Sequence, residues 1–392
     1  MARRKFELPG IHELSKDQER ARLLPKEGCY LVIGGPGTGK SVIALLRAKR
    51  YHNDNDYIFL VYNRLLHAAS RELVGDKLSS ATWISWFFSL YKKSFGSSVP
   101  MVGDDENSGK KWKETDWNVI LDTINSSETI SDPNPPFLII DEGQDMPPPF
   151  YESLRKLGFV NFFIVADQNQ QITDKHSSRQ ELQNALVLET EDVIELRDNY
   201  RNSYPVACLA REFYPKDPAS PCPDLPTSRR SAKTPLLVEY GPDCKLTFQK
   251  LIVRILKLSD IDPSKLIGII VPNNNVLKKY CNALTDCEID LDNKKPRIVT
   301  YEAASREIYS FSEGGIFVIN SQSCKGLEFD TVIIADLHEF KCFLAIEDHI
   351  KRLFYVMIAR ARERVVMTRE AGKHCPVESI LPQNNDILGR WR

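Results

Sequence analysis

The sequence predicts an α/β protein in which two mostly parallel sheets are each flanked by helices. Short apolar segments rich in β-branched residues recur along the chain, and polar residues follow their C-terminal ends. Helical stretches such as residues 41–50 separate these segments. This alternation is typical of parallel strands joined by crossover helices, and such sheets bind ligands at the carboxyl ends of their strands.

The predicted strands fall into two series. The first series comprises residues 29–33, 57–62, 137–140, 162–166 and 193–196. The second comprises residues 236–240, 266–271, 297–301, 315–319, 331–335 and 364–368. Two polar or proline-rich stretches, residues 94–117 and 215–235, are predicted to be loops. We therefore expect an N-terminal domain over residues 1–198 and a C-terminal domain over residues 199–392.

Composition and charge limit the classes of function. The chain has 392 residues, of which 42% are hydrophobic, which is enough for the cores of two domains. Its nine cysteines show no close pair and no zinc-type spacing, so we expect reduced thiols and no structural metal. No apolar run approaches the roughly 20 residues that span a bilayer, and the N-terminal sequence is polar, so we expect a cytoplasmic protein without a membrane partner. Because the net charge is −1, binding of nucleic acid requires a local groove.

A phosphate-binding motif lies between the first predicted strand and the helix that follows it. It matches the pattern G-x-x-x-x-G-K-[ST] and reads Gly34-Gly35-Pro36-Gly37-Thr38-Gly39-Lys40-Ser41. The glycines allow backbone N–H groups to surround phosphates, and the helix N-terminus adds positive potential. We expect residues 35–41 to bind ATP, with Lys40 on the β- and γ-phosphate oxygens and the Ser41 hydroxyl on Mg²⁺.

Two adjacent carboxylates, Asp141 and Glu142, follow the buried strand predicted over residues 137–140. Asp141 is expected to hold Mg²⁺, and Glu142 is expected to polarise the attacking water. An acidic pair at a strand end is often only a solvated loop, but its combination with the phosphate-binding motif favours a catalytic role.

The sequence Asp141-Glu142-Gly143-Gln144-Asp145 resembles the corresponding motif of UvrD/Rep-type helicases, the superfamily 1 motors. Other segments resemble the remaining motifs of this family in the same order, namely residues 14–18, 165–172, 196–203, 322–330 and 355–361. The resemblance covers nearly the whole chain. It implies a P-loop NTPase with two tandem RecA-like lobes that uses ATP and Mg²⁺ to translocate on single-stranded DNA, with 3′ to 5′ polarity.

The resemblance also implies roles around the nucleotide. Gln18 would bond the adenine edge, Tyr200 would stack on adenine, Gly326 would approach phosphate and Glu328 would contact the ribose. The implied catalytic residues are Lys40, Glu142, Gln170, Arg201 and Arg360. Gln170 would sense the γ-phosphate, and the two planar guanidinium groups would neutralise charge developing on it.

The strand-binding residues are also implied by the resemblance. Tyr62, Asn63 and Arg64 follow the second predicted strand and resemble a strand-contacting segment of the family. Thr82, Ser85 and Trp86 match the polar and aromatic positions of the next such segment, and Gln322 is the candidate in the second lobe. Aromatic faces stack on bases, whereas hydroxyls, amides and basic groups contact phosphates. An alternative is that Trp83, Trp86 and Phe87 are core residues on a helix.

Three departures from the family concern the handling of nucleic acid. Thr173-Asp174 stands where an aromatic wedge is usual, Gln322 replaces a histidine and Ala359 replaces a threonine. The spacings from Lys40 to Asp141 and from Arg201 to Lys325 leave no room for large accessory subdomains, which predicts weak unwinding or unwinding with a partner.

An alternative function is an ATP-gated nucleic-acid sensor, or a regulatory subunit of a nuclease in anti-phage defence. A metabolic phosphate-loop kinase is disfavoured, because such an enzyme needs neither Tyr200 nor Arg360. DNA is favoured over RNA as the strand, although the sequence leaves this choice open.

Overall fold

The structure is a computed structural model, and it describes residues 7–51, 56–75, 78–102, 114–127, 134–168, 177–214, 222–227, 233–300, 313–341 and 347–391. The chain divides into two compact units. The N-terminal unit consists of Leu8–Gly34 and Lys40–Leu196. The C-terminal unit contains Gly35–Gly39 and the described residues from Arg197 onward.

A six-stranded parallel sheet forms the centre of the N-terminal unit, in the order β3-β2-β4-β5-β1-β6. Its strands are β1 Cys29–Gly34, β2 Tyr57–Val61, β3 Ser80–Thr82, β4 Phe137–Ile140, β5 Phe162–Ala166 and β6 Val193–Leu196. Every residue of β4 and β5 is buried. Parallel strands with helices on both faces are apolar throughout, and this explains the uninterrupted apolar runs in the sequence.

Seven helices accompany this sheet among the described residues. They are α1 Lys16–Leu23, α2 Lys40–Tyr51, α3 Arg64–Val74, α4 Trp83–Phe95, α5 Trp117–Ser126, α6 Pro148–Lys156 and α7 Arg179–Leu186. The local sequence sets several helix ends. Ser15 starts α1 with a capping box, Asn63 caps α3 through the Leu66 N–H, and Gly96 ends α4 at φ +70°.

The C-terminal unit has a seven-stranded parallel sheet in the order β13-β7-β12-β11-β8-β10-β9. Its strands are β7 Leu236–Tyr240, β8 Leu266–Val271, β9 Ile298–Thr300, β10 Gly315–Asn320, β11 Phe329–Ile334, β12 Ala361–Glu370 and β13 Gly389–Trp391. The helices described in this unit are α8 Tyr204–Glu212, α9 Phe248–Ile261, α10 Asn274–Asp286 and α11 Glu347–Ala359. The apolar faces of α9 and α10 pack with β7, β8 and β10 in one core cluster.

The predicted fold class is confirmed, because two mostly parallel sheets flanked by helices form an α/β fold of the kind expected for tandem RecA-like lobes. The strand ends differ from the prediction by a few residues, and β12 begins at Ala361 instead of Arg364. Strands β3 and β13 were not predicted. The predicted loop 94–117 includes the end of α4 and the first residue of α5. In the predicted loop 215–235, residues 222–227 and 233–235 are described, and they form neither helix nor strand.

The division into domains at residues 198 and 199 remains a prediction. Within the described part of the chain, the structure has no helix that is long and apolar enough to cross a membrane.

Candidate nucleotide-binding site

The phosphate-binding motif forms a tight loop between the end of β1 and the first residue of α2. Gly37 and Gly39 have φ angles of +80° and +87°, a region that side-chain-bearing residues rarely adopt. A Cβ atom on Gly35 would lie 2.0 Å from Cγ of Pro223, and the Thr38 hydroxyl donates to the Gly35 carbonyl at 2.8 Å. The loop geometry therefore requires the glycines that the sequence provides.

Lys40 is the first residue of α2, and its side chain is buried in the N-terminal unit. The Lys40 ammonium lies 3.5 Å from a carboxylate oxygen of Asp167, the residue that follows β5. This distance is at the limit of a hydrogen bond, so the contact is a weakly bonded ion pair. It keeps the lysine charge at the carboxyl edge of the sheet.

Ser41 and Asp141, the two predicted Mg²⁺ ligands, lie together in the same unit. The Ser41 hydroxyl donates to Asp141 Oδ1 at 3.0 Å. Burial, and then the neighbouring Glu142 carboxylate, raises the pKa of Asp141. A hydroxyl and a carboxylate are oxygen ligands of the kind that Mg²⁺ prefers, and a cation beside them would favour the ionised carboxylate. These residues therefore fit the implied metal ion.

Glu142 occupies a strained turn directly after β4. Its φ and ψ angles are +55° and +43°, an uncommon conformation for a residue other than glycine. The Gln144 amide donates to Glu142 Oε2 at 2.6 Å, and Gln144 Oε1 accepts the Asp167 N–H at 2.9 Å. The Tyr151 hydroxyl donates to the Gly143 carbonyl at 2.6 Å. Gln144 thus orients the Glu142 carboxylate, a role that the sequence did not reveal although the residue lies within the motif.

Gln18, the predicted adenine-reading residue, is buried near the start of α1. Its side-chain oxygen accepts the Ser15 N–H at 2.9 Å, and the Ser15 hydroxyl accepts the Gln18 N–H at 3.2 Å. The side-chain oxygen of Gln18 therefore already serves the helix cap.

Arg47 of α2 is fully buried beneath α1, which the sequence did not predict. Its guanidinium donates to the backbone carbonyls of Ala21, Arg22, Leu24 and Pro25 at 2.7–3.3 Å. Burial lowers the pKa of Arg47 to about 10, so the group stays charged at neutral pH. A cation at the C-terminal end of α1 satisfies carbonyls that lack helical partners. Arg47 therefore links α1, which contains Gln18, to α2, which contains Lys40.

The C-terminal unit contains the predicted adenine-stacking and γ-phosphate-binding residues. The Tyr200 side chain is 53% exposed, and the Tyr200 N–H donates to the Gly37 carbonyl at 2.9 Å. The Arg201 guanidinium forms an ion pair with Glu328. The structure therefore brings together two residues that were predicted to contact different parts of ATP, the γ-phosphate and the ribose.

Arg360 follows α11 and is almost completely buried in the C-terminal unit. Its Nε donates to the Val356 carbonyl at 3.1 Å, and its own carbonyl accepts the Phe329 N–H at 2.9 Å. Gly326 has a φ of +77°, in the left-handed region that favours glycine. Gln170, the predicted γ-phosphate sensor, lies outside the described residues, as does the Thr173-Asp174 pair.

The predicted strand-binding residues of the N-terminal unit follow the neighbouring strands β2 and β3. Tyr62 and Asn63 connect β2 to α3, and Asn63 Oδ1 accepts the Leu66 N–H at 2.9 Å as a helix cap. Arg64 is exposed. Because β2 and β3 are adjacent and parallel, the segment from Tyr62 to Arg64 and the segment that begins at Thr82 share the carboxyl edge of the sheet.

The second strand-binding segment lies at the start of α4. The hydroxyls of Thr82 and Ser85 are 2.8 Å apart, and Ser85 is exposed. Trp86 is half-buried, and its ring forms a T-shaped pair with Phe159 at a centroid distance of 5.7 Å. Phe87 is fully buried, which agrees with the alternative that it is a core residue. In the C-terminal unit, Gln322 is exposed just after β10.

Comparisons with known proteins bear mainly on the C-terminal unit. Residues 315–368 match the family model of the UvrD-like helicase C-terminal domain. No curated protein matches the chain. Among solved structures, the chain is similar to the C-terminal domain of a possible DNA helicase from Lactobacillus plantarum WCFS1. The identity is 15% and the TM-score 0.33, over 48% of this chain and 97% of that chain.

The matched segment runs from β10 into β12 and contains four predicted site residues, namely Gln322, Gly326, Glu328 and Arg360. Over residues 315–368, the family match therefore confirms the predicted resemblance to UvrD-type helicases and supports a helicase-type function.

Proposed function

We propose that the chain is a nucleic-acid-stimulated ATPase of the superfamily 1 helicase type that translocates on single-stranded DNA from 3′ to 5′. The observation that carries this proposal is the Glu142 carboxylate, which is oriented by Gln144 next to the Ser41 and Asp141 pair. An oriented carboxylate beside a cation site is what hydrolysis of a phosphoanhydride requires.

Each site residue of the N-terminal unit has a separate role in the proposed hydrolysis of ATP. Lys40 binds the phosphate oxygens, and Glu142 accepts a proton from the attacking water. Ser41 and Asp141 hold Mg²⁺, which when bound neutralises negative charge on the phosphates. Gln144 keeps Glu142 in the orientation that the proton transfer needs.

The arginines of the C-terminal unit act on the charge that develops during phosphoryl transfer. Arg201 exchanges its ion pair with Glu328 for the phosphate, and this releases Glu328 for the ribose. Charge-assisted bonds of this kind have similar strengths, so the exchange of partners has a small net effect on free energy. Arg360 supplies the second guanidinium.

The nucleic-acid strand contacts the carboxyl edge of the sheet in the N-terminal unit. Arg64, Thr82 and Ser85 bind the phosphates, and the half-buried Trp86 stacks on a base. Asn63 contacts the strand through its backbone, because its side-chain oxygen caps α3.

A second candidate is an ATP-gated sensor that signals to a partner, such as a nuclease, without net unwinding. It is favoured by the short insertions, since the described residues between Lys40 and Asp141 form only α2 to α5 and the strands β2 and β3 of the unit's own sheet. Displacement of a strand annealed beside a long 3′ overhang distinguishes the two functions, because only the translocase displaces it.

The test of the proposal is the ATPase rate measured without nucleic acid and with single-stranded DNA, single-stranded RNA or blunt duplex DNA. We expect the highest rate with single-stranded DNA. The same low rate under all four conditions would contradict a nucleic-acid-stimulated motor.

A further inference from the structure

Two asparagines shape the turn that carries Arg201 in the C-terminal unit. Asn199 Oδ1 accepts the N–H groups of Arg201 and Asn202, each at 3.1 Å. The Asn199 amide in turn donates to Asn202 Oδ1 at 2.9 Å. The turn is therefore fixed by its own side chains, as in an Asx-turn.

The Asn202 amide extends this network to the segment that carries Arg360. Its Nδ2 donates to the carbonyls of Ala359 and Ala361, at 3.2 and 2.5 Å. These two carbonyls flank Arg360 in the sequence, and Asn202 and Arg360 are 5% and 1% exposed. The contact is therefore buried, and water does not readily replace the amide.

Two hydrogen bonds of the next residue, Ser203, also join these segments. The Ser203 N–H donates to the Arg362 carbonyl at 2.7 Å, and the Ser203 hydroxyl donates to the Glu363 carbonyl at 3.2 Å. The two segments thus run side by side, and the Asn202 side chain is the link nearest to both predicted arginine fingers.

We propose that Asn202 is a positioning residue that fixes the position of Arg201 relative to Arg360, so that both guanidinium groups contact the same phosphate. The inference rests on the proposed ATPase function. Arg201 lies in a turn and Arg360 follows α11, so without the Asn202 link the two segments keep only the bonds of Ser203 to Arg362 and Glu363, which lie two and three residues beyond Arg360. A displacement of about 1 Å lowers a catalytic rate by up to about 100-fold.

The central test replaces Asn202 by leucine, which has a similar size but no hydrogen-bond donor. We expect kcat for DNA-stimulated ATP hydrolysis to fall by about 10- to 100-fold while KM for ATP stays within about twofold. Hydrogen exchange without nucleotide should become faster at the amides of Arg201, Asn202 and Ser203. Asn282→Leu, on the exposed face of α10, is the matched control and should change neither quantity.

A milder variant covers the case in which Asn202→Leu does not fold. Asn199→Asp keeps the oxygen that accepts the two N–H groups but removes the donor to Asn202 Oδ1. We expect a smaller loss of kcat, again without a change in KM.

The outcomes separate this inference from the proposed function. A folded Asn202→Leu protein with the wild-type kcat overturns the positioning role, and so does unchanged hydrogen exchange in the turn. If the wild-type chain hydrolyses no ATP, the proposed function fails, whereas the exchange measurement still decides whether Asn202 holds the turn.

Discussion

The two units contain the same strained turn at the end of a central strand, and they use it differently. Glu142 follows β4 with φ +55°, and Asp336 follows β11 with φ +54°. Each begins a three-residue 3₁₀ turn, Gly143–Asp145 in one unit and Leu337–Glu339 in the other. Each acidic residue also accepts, through its carbonyl, the N–H three residues later, at 2.9 and 2.8 Å. The backbone geometry is therefore shared.

The partners of the two carboxylates differ. Glu142 accepts a hydrogen bond from the Gln144 amide. Asp336 Oδ1 accepts bonds from the hydroxyls of Tyr240 and Tyr280, both at 2.9 Å, and Oδ2 accepts the Lys279 ammonium at 2.8 Å. Burial, and then the Asp336 charge, raises the pKa of both tyrosines, so they remain donors.

We infer from this difference that the backbone turn alone does not define the proposed catalytic site. In the C-terminal unit, the carboxylate is tied into a buried network that joins β7, α10 and β11, which is a structural use. In the N-terminal unit, the Gln144 amide donates to the Glu142 carboxylate, and the neighbouring Asp141 accepts a bond from Ser41. Substitutions in matched pairs can therefore separate catalysis from stability.

Within the matched pairs, the largest effect is expected for Lys40, at the start of α2, which is compared with Lys279, the partner of Asp336 in α10. Lys40→Ala removes the cation at the phosphate oxygens, so ATP turnover should fall by about 1000-fold, as expected for the loss of a strong electrostatic contact in an active site. Lys279→Ala removes the partner of Asp336 and should leave turnover per folded molecule unchanged. Steady-state ATPase assays with single-stranded DNA measure both. A large loss of turnover in Lys279→Ala would contradict the structural role of the Asp336 network.

Asp336→Asn should have the next largest effect, and this effect should be on stability. Asparagine tolerates the left-handed backbone, but its neutral side chain leaves Lys279 without an ion pair inside a buried network. The expected loss is about 2–4 kcal/mol in the free energy of unfolding, near the lower end because Lys279 is partly exposed. Urea unfolding measures this loss, and a stability equal to that of the wild type would refute the structural role.

Gln144→Leu should reduce kcat by about tenfold, which is about 1.4 kcal/mol in activation free energy, because Glu142 loses its orienting donor. KM for ATP should not change, since Gln144 is not expected to contact the nucleotide. A rise in KM with unchanged kcat would show that Gln144 acts in binding instead. Full kinetic curves at varied ATP concentration distinguish these results.

Tyr280→Phe should have the smallest effect. It removes one of the two hydroxyls that donate to Asp336 Oδ1, while Tyr240 still donates to the same atom. One hydrogen bond of this kind contributes about 1 kcal/mol to stability, and the ATPase rate should stay at the wild-type value. Thermal unfolding followed beside an ATPase assay checks both expectations, and a slower ATPase at full stability would contradict them.

The sequence predicted the parts of the molecule that local patterns determine. The apolar runs located β4 and β5, and the glycine spacing together with Lys40 indicated a strand-to-helix junction that the structure has between β1 and α2. Strands β3 and β13 were missed because their sequences, Ser-Ala-Thr and Gly-Arg-Trp, contain no apolar β-branched run, unlike the equally short β9.

The features that the sequence did not predict depend on partners that are distant along the chain. Asn202 and Ala359 are 157 residues apart, and Gln144 binds the Asp167 N–H of another strand end. Arg47 is buried against carbonyls at the end of α1 that lie 22–26 residues earlier in the chain. The residues of the Asp336 turn match no phosphate-binding motif, and this turn was not predicted from the sequence.

The most direct test of the account compares ATP binding and ATP turnover in Glu142→Gln on one preparation. Glutamine keeps the shape of the side chain but cannot accept the proton, so turnover with single-stranded DNA should fall by about 100- to 10,000-fold. Equilibrium binding of labelled ATP should stay at the wild-type level, because Lys40 and the phosphate loop are intact. A Glu142→Gln protein that turns over ATP at the wild-type rate would contradict the assignment of Glu142 as the catalytic carboxylate.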